Sequence, residues 1–143
     1  MEKAMDKFIK YCKRPVFLLL YFALCNVFLF FLSCSPVKTL GVEEISALIN
    51  SGNENLIIID LRDLTEYNNG HIKGAISIPY KEDTFPERIT ALAEKDMAAL
   101  FYCGQGVKTG KAEKFIKNSP FKKKYVLNGG FMAWKKKGLE IEK

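Results

Sequence analysis

The chain has 143 residues, 48% of them hydrophobic and 27% charged, with a formal net charge of +6. That length suits one domain and hardly two, and the apolar content excludes a disordered chain. A single histidine excludes a His-rich metal centre, and three of the four cysteines precede residue 35, which leaves no disulfide framework for the remainder.

Residues 1–15 carry Lys3, Lys7, Lys10, Lys13 and Arg14 against Glu2 and Asp6. Residues 16–32, VFLLLYFALCNVFLFFL, hold no charge, and Asn26 is their only strongly polar side chain. A basic segment followed by an apolar one is a targeting pattern. The apolar run approaches the roughly 20 residues of a spanning helix, and the positive flank holds its N-terminal side in the cytoplasm. Residues 1–35 are therefore expected to be a signal or anchor segment, and residues 36–143 a separate domain. The anchor is either an uncleaved transmembrane helix or a lipoprotein signal. The second reading comes from FFLSCSP, where Cys34 after Ser33 is similar to a bacterial lipid-attachment site, although Phe31 and Leu32 depart from the residues usual there. Both readings put the domain on the extracytoplasmic side of a membrane, periplasmic or cell-surface. Cys25 faces lipid or packs within the run, and Cys12 has no evident role.

The domain keeps one cysteine, Cys103. Its first element is a helix over residues 42–52, with apolar residues at 42, 45, 48 and 49 and a Ser-Gly stop. Asn55 to Asp60 form a continuous Ile-rich run, which reads as a strand buried on both faces. A short helix at 65–67, turn chemistry through NNGHIKGA and a second strand at 76–78 follow. Residues 85–94 read as a helix with Pro86 in its first turn. MAALFYC, 97–103, is another buried strand. A helix at 109–118 turns Ala112, Phe115 and Ile116 inward. KYVLNGG is a strand and turn, and a last helix spans 131–137 before Gly138. Strands alternating with helices predict an α/β fold, a doubly wound parallel sheet with helices on both faces.

In such sheets ligands sit beyond the carboxyl ends of the strands, and Cys103 lies at one. In CGQGVK, Gly104 and Gly106 permit positive φ, so the loop of Gly104, Gln105, Gly106, Val107 and Lys108 can turn N–H groups inward as an anion cradle. The next helix adds its positive end, and Lys108 adds a full charge. Each effect favours thiolate over thiol, and the cradle would bind an anionic substrate beside the sulfur. Residues 108–143 hold eleven lysines and three acidic residues. Their aromatics are not interleaved with the lysines, so solvated helix faces and anion attraction, not nucleic acid, are the expected reading.

LIIIDLRDLTEYNNGHIKGAISIPY, with Asp60-x-Arg62, Glu66-Tyr67, Gly70-His71-Ile72 and Gly74-Ala75, resembles the N-terminal signature of rhodanese-like domains. LFYCGQGVKTGKAEKF resembles that family's active-site loop, and VLNGGFMAWKKKGLEIE its closing segment. The resemblance implies sulfurtransferase chemistry. Cys103 attacks an anionic sulfane donor such as thiosulfate, carries a persulfide and passes the sulfur to cyanide or a thiol, with no metal or organic cofactor. A covalent sulfur intermediate splits one transfer into two easier steps. Related phosphatases and arsenate reductases have an arginine six positions after the cysteine. Here that position is Thr109, and the basic residue falls at five, the sulfurtransferase spacing, as Lys108 in place of the usual arginine. The alternative is a non-catalytic module that binds partners or carries sulfur. A monomer is expected, with the membrane as partner through its N-terminal segment. Asp60 is expected to accept backbone or Arg62 hydrogen bonds near the site. His71 is expected to be structural, Gly129-Gly130 to make a tight turn, and Trp134 to be core.

Overall fold

A computed structural model describes residues 35–143, apart from residues 53, 54, 82 and 95. The expected anchor, with Cys12, Cys25 and the lipid-attachment candidate Cys34, lies outside the described residues. Among the described residues no helix is long and apolar enough to cross a membrane.

Five strands, β1 (Val37–Leu40), β2 (Leu56–Asp60), β4 (Ala75–Ser77), β5 (Ala98–Tyr102) and β6 (Lys123–Leu127), make one sheet in the order β1-β6-β5-β2-β4. Every pairing in it is parallel. Two further strands, β3 (His71–Ile72) and β7 (Ile141–Glu142), pair antiparallel apart from it. The helices are α1 (Val42–Asn50), α2 (Leu64–Asn68), α3 (Phe85–Ala91), α4 (Val107–Asn118) and α5 (Gly130–Lys136).

The central strand β5 is buried along its whole length. Successive strand side chains point to opposite faces, so β5 serves two cores. Ala99, Phe101 and Cys103 pack with Phe85 and Ile89 of α3 and with Ala112 and Ile116 of α4. Leu100 and Tyr102 pack with Val42 and Ile45 of α1 and with Phe131 and Trp134 of α5. Each fully buried Ile, Leu or Phe among them contributes roughly 1.5–3 kcal/mol. Helices thus cover both faces of a parallel sheet, as expected.

Local chemistry sets the helix starts. Glu43 and Glu44 lie in the first turn of α1, where negative charge is favoured, and the Gly41 N–H donates to Glu44 Oε2 at 2.8 Å. Pro86 sits in the first turn of α3, where its missing N–H has no helical partner to lose. α3 stops at Ala91, short of the expected 94, and three further departures from the sequence expectation have a clear cause. α4 begins at Val107, two residues earlier, because Gly106 takes φ +100° and ends the loop abruptly. β1 was not expected, since Lys38 and Thr39 break its apolar pattern at the sheet edge. The stretch read as turn includes β3, whose partner β7 lies about seventy residues on, so no local signal marks it.

Candidate active site

Cys103 follows β5 at the carboxyl edge of the sheet and is only 1% exposed. The chain turns back on itself at once. The Gly106 N–H donates to Cys103 Sγ at 3.2 Å, so one backbone donor of the loop is directed at the sulfur. Gly106 caps α4 from the left-handed region, a conformation that side chains disfavour. One turn into α4, the buried Thr109 places Oγ1 3.8 Å from Cys103 Sγ and donates from that hydroxyl to the Gly106 carbonyl at 2.7 Å. The hydroxyl therefore braces the loop against its own helix.

The loop is also held from behind. The N–H groups of Phe131 and Met132, at the start of α5, donate to the carbonyls of Cys103 and Gly104 at 2.7 and 3.0 Å. With those carbonyls drawn toward α5, the intervening backbone can present N–H groups to the sulfur. This approach depends on Gly130. Its φ is +59°, and a Cβ there would lie 2.3 Å from the Cys103 oxygen and 2.7 Å from the Gly104 oxygen. Gly129-Gly130 is thus more than the tight turn expected. It is the seat of the cysteine loop, a role that joins residues distant in sequence and leaves no local pattern.

Beneath the loop lies a buried ion pair. Arg62 Nε and Nη2 donate to the Asp60 carboxylate, the shortest contact being 2.6 Å, and Nη2 also donates to the Gly70 carbonyl at 2.7 Å. The Arg62 backbone N–H donates to Asp60 Oδ1 at 2.8 Å. The guanidinium stacks 3.9 Å over the Phe131 ring. Burial works against its charge, but the Asp60 hydrogen bonds and charge outweigh that, so Arg62 is held above the ordinary arginine value. On the adjacent strand, burial and then the Asp60 carboxylate push the Tyr102 phenol far above its usual range. The Tyr102 oxygen accepts the Ile72 N–H at 3.1 Å. This cluster fixes the position of Phe131, which lies under the loop.

Cys103, Gly104, Gln105, Val107 and Lys108 all line one open cleft of about 310 Å³, with Arg62 and Glu66 in its wall. Gly106, expected in the same group, instead lines a second cleft of about 260 Å³ on the other side of the loop, which Gln105 also borders. Lys108 does not point its charge at the sulfur unopposed. Its ammonium donates to Asp63 Oδ2 at 3.0 Å and lies 3.7 Å from Glu66 Oε2. The charge expected to serve the cradle is shared with two carboxylates, Glu66 of the cleft wall and Asp63 outside its lining.

The remaining candidates lie elsewhere. His71 stacks on Tyr67 at 3.8 Å, with Nδ1 3.1 Å from the Tyr67 carbonyl and Nε2 3.7 Å from Glu142. It borders neither cleft. Trp134 is buried and donates from Nε1 to the Glu140 carbonyl at 3.0 Å. Among the described residues, no group of three His, Cys, Asp or Glu side chains is placed to hold a metal ion.

A parallel sheet that delivers a cysteine from its central strand into a short loop, capped by the next helix, defines the class of α/β domains built around a cysteine cradle. Residues 41–137 match the family model described as the rhodanese-like domain, and the chain belongs to that family. Among curated relatives it is similar to the tRNA uridine(34) hydroxylase of Photorhabdus laumondii, with 31% identity over 113 residues, 73% of this chain and 31% of that protein. The chain therefore spans about a third of the length of that relative. Among solved structures it resembles the Alr3790 protein of Anabaena sp. with a TM-score of 0.63 and 27% identity, covering 72% of this chain and 81% of that one. The thiosulfate sulfurtransferase of Pseudomonas aeruginosa shares the fold, with a TM-score of 0.62 at 24% identity over 74% of this chain and 20% of that one.

Proposed function

We propose that this domain is a sulfurtransferase that moves a sulfane sulfur from a small anionic donor, such as thiosulfate, to a thiol or cyanide through a persulfide on Cys103. One observation carries the reading: the domain's single cysteine sits in a cleft at the sheet's carboxyl edge with a backbone N–H directed at its sulfur. The Cys103 thiolate attacks the outer sulfur of thiosulfate. A new S–S bond forms, the old one breaks, and sulfite leaves with the electron pair. The acceptor then attacks the outer persulfide sulfur, and the Cys103 thiolate is regenerated. No external oxidant or reductant is consumed. Cys103 is the nucleophile, and the loop from Gly104 through Lys108 supplies N–H groups and a cation to the sulfur anion and the leaving sulfite. Asp60 and Arg62 keep the supporting wall in place. The chemistry requires no metal or organic cofactor.

A second reading, a non-catalytic module that binds partners or carries sulfur, draws on the near-complete burial of Cys103. Release of thiocyanate from thiosulfate and cyanide by the full chain separates the two. Turnover supports the enzyme. A stable persulfide of +32 Da on Cys103, the mass of one sulfur, without turnover supports the carrier. For the address, we propose that residues 1–35 anchor a monomer to a membrane with the domain on the extracytoplasmic side. The uncharged run at residues 16–32 and its basic N-terminal flank support this.

A further inference from the structure

The cleft mouth carries its own charge control. Lys108 lines the cleft beside Cys103, and its side chain is 33% exposed. Glu66 of α2 lines the same cleft, and Asp63, which caps α2, lies beside it; their side chains are 50% and 72% exposed. The other cation of the wall, Arg62, is committed to Asp60 and the Gly70 carbonyl. Two carboxylates therefore face one available ammonium, and the mouth is net negative while Lys108 stays with them. Such a mouth repels an anionic donor. An anionic donor binds there only by competing with the two carboxylates for Lys108.

We infer that Asp63, Glu66 and Lys108 form a charge latch that sets the donor specificity of the Cys103 cleft. Donors with a compact, strongly anionic group open it by taking Lys108 from the carboxylates, and weakly charged donors gain nothing there. Exposed pairs of this kind are weak, which makes exchange by a millimolar anion feasible. The inference deepens the sulfurtransferase reading and rests on Cys103 being the reacting thiol.

The test measures charge at the sulfur without requiring turnover. Full-length protein in a non-ionic detergent is alkylated with iodoacetate or with iodoacetamide, an anion and a neutral molecule of similar size. The rate at Cys103 is then read by peptide mass spectrometry, which separates it from Cys12, Cys25 and Cys34. The Asp63→Asn, Glu66→Gln double variant removes both opposing charges. It keeps α2 capped, because Asn caps as well as Asp and Gln serves a capping box as Glu does. The expected result is a rise in the iodoacetate-to-iodoacetamide rate ratio of roughly two- to fivefold, the range of an exposed ion pair. Adding Lys108→Gln should cancel the rise. An unchanged ratio in the double variant, or a rise that survives Lys108→Gln, overturns the latch. In parallel, the KM for thiosulfate should fall by a similar factor in the double variant. A changed alkylation ratio in a protein that never consumes thiosulfate keeps the charge latch and removes thiosulfate turnover from the proposed function instead.

Discussion

Replacing Gly130 with alanine tests whether the start of α5 holds the cysteine loop. Two costs follow from the structure. An alanine at φ +59° sits in the left-handed region, which costs about 1–2 kcal/mol. Its Cβ would lie 2.3 Å from the Cys103 oxygen, nearer than real Cβ contacts come, so loop and helix must part. Parting lengthens or breaks the Phe131-to-Cys103 and Met132-to-Gly104 hydrogen bonds, each contributing about 1 kcal/mol. The expected loss is therefore about 3–4 kcal/mol, a large part of the roughly 5–15 kcal/mol that holds a domain folded. Gly138→Ala is the control. Gly138 has φ +68° with nothing within 4 Å of an added Cβ, so it carries only the conformational cost. Urea unfolding of both variants can be followed through Trp134, the sole tryptophan, which is buried in α5 itself. If Gly130→Ala is destabilised by no more than Gly138→Ala, the seat contributes nothing and the account of the loop fails.

Cys103→Ser should bring thiosulfate:cyanide activity to background while the urea midpoint stays near wild type; appreciable residual turnover would remove Cys103 as nucleophile. The raised Tyr102 phenol gives a pH test. Its folded value lies above the unfolded value of about 10, so the stability it confers is intact below pH 10 and is lost as pH rises beyond it. Unfolding free energy should fall above pH 10 by about 1.4 kcal/mol per pH unit more steeply in wild type than in Tyr102→Phe, and parallel curves would contradict this. For the N-terminal segment, Cys34→Ala should leave a larger uncleaved precursor and block labelling by a fatty-acid analogue if Cys34 carries lipid. An uncleaved helix is indifferent to the change, and a fusion after Lys143 active only in the cytoplasm refutes export altogether.

The parallel sheet was legible because its strands announce themselves. LIIID and AALFY are apolar on both faces, a pattern that only strands covered on two sides sustain. The long helices were legible for the complementary reason, since Ala112 and Ile116 recur at helical spacing. β1 and the β3–β7 pair were not, because they are short and their partners are remote in sequence. Two-residue strands carry no period of their own. Their pairing follows from the chain's return after α5, where Trp134 and Ile141 join the core beneath Ile72.

The site divides along the same line. Sequence spacing alone places Cys103 at a strand end, with two glycines and a helix start after it, because those relations are local. It does not reveal which charges meet. Lys108 and Asp63 are forty-five residues apart, and they become partners only because β2 and β5 lie side by side, so that the segments leaving them converge on one edge. That adjacency changes the chemistry expected of the loop. Counted along the chain, Lys108 is a lone positive charge beside the loop; in the fold it sits between two carboxylates. Gly130 follows the same logic in the backbone. Its glycine requirement is set by two carbonyl oxygens of β5's outgoing loop, so the fold, by bringing α5 under that loop, makes a closing-segment residue part of the cysteine's support.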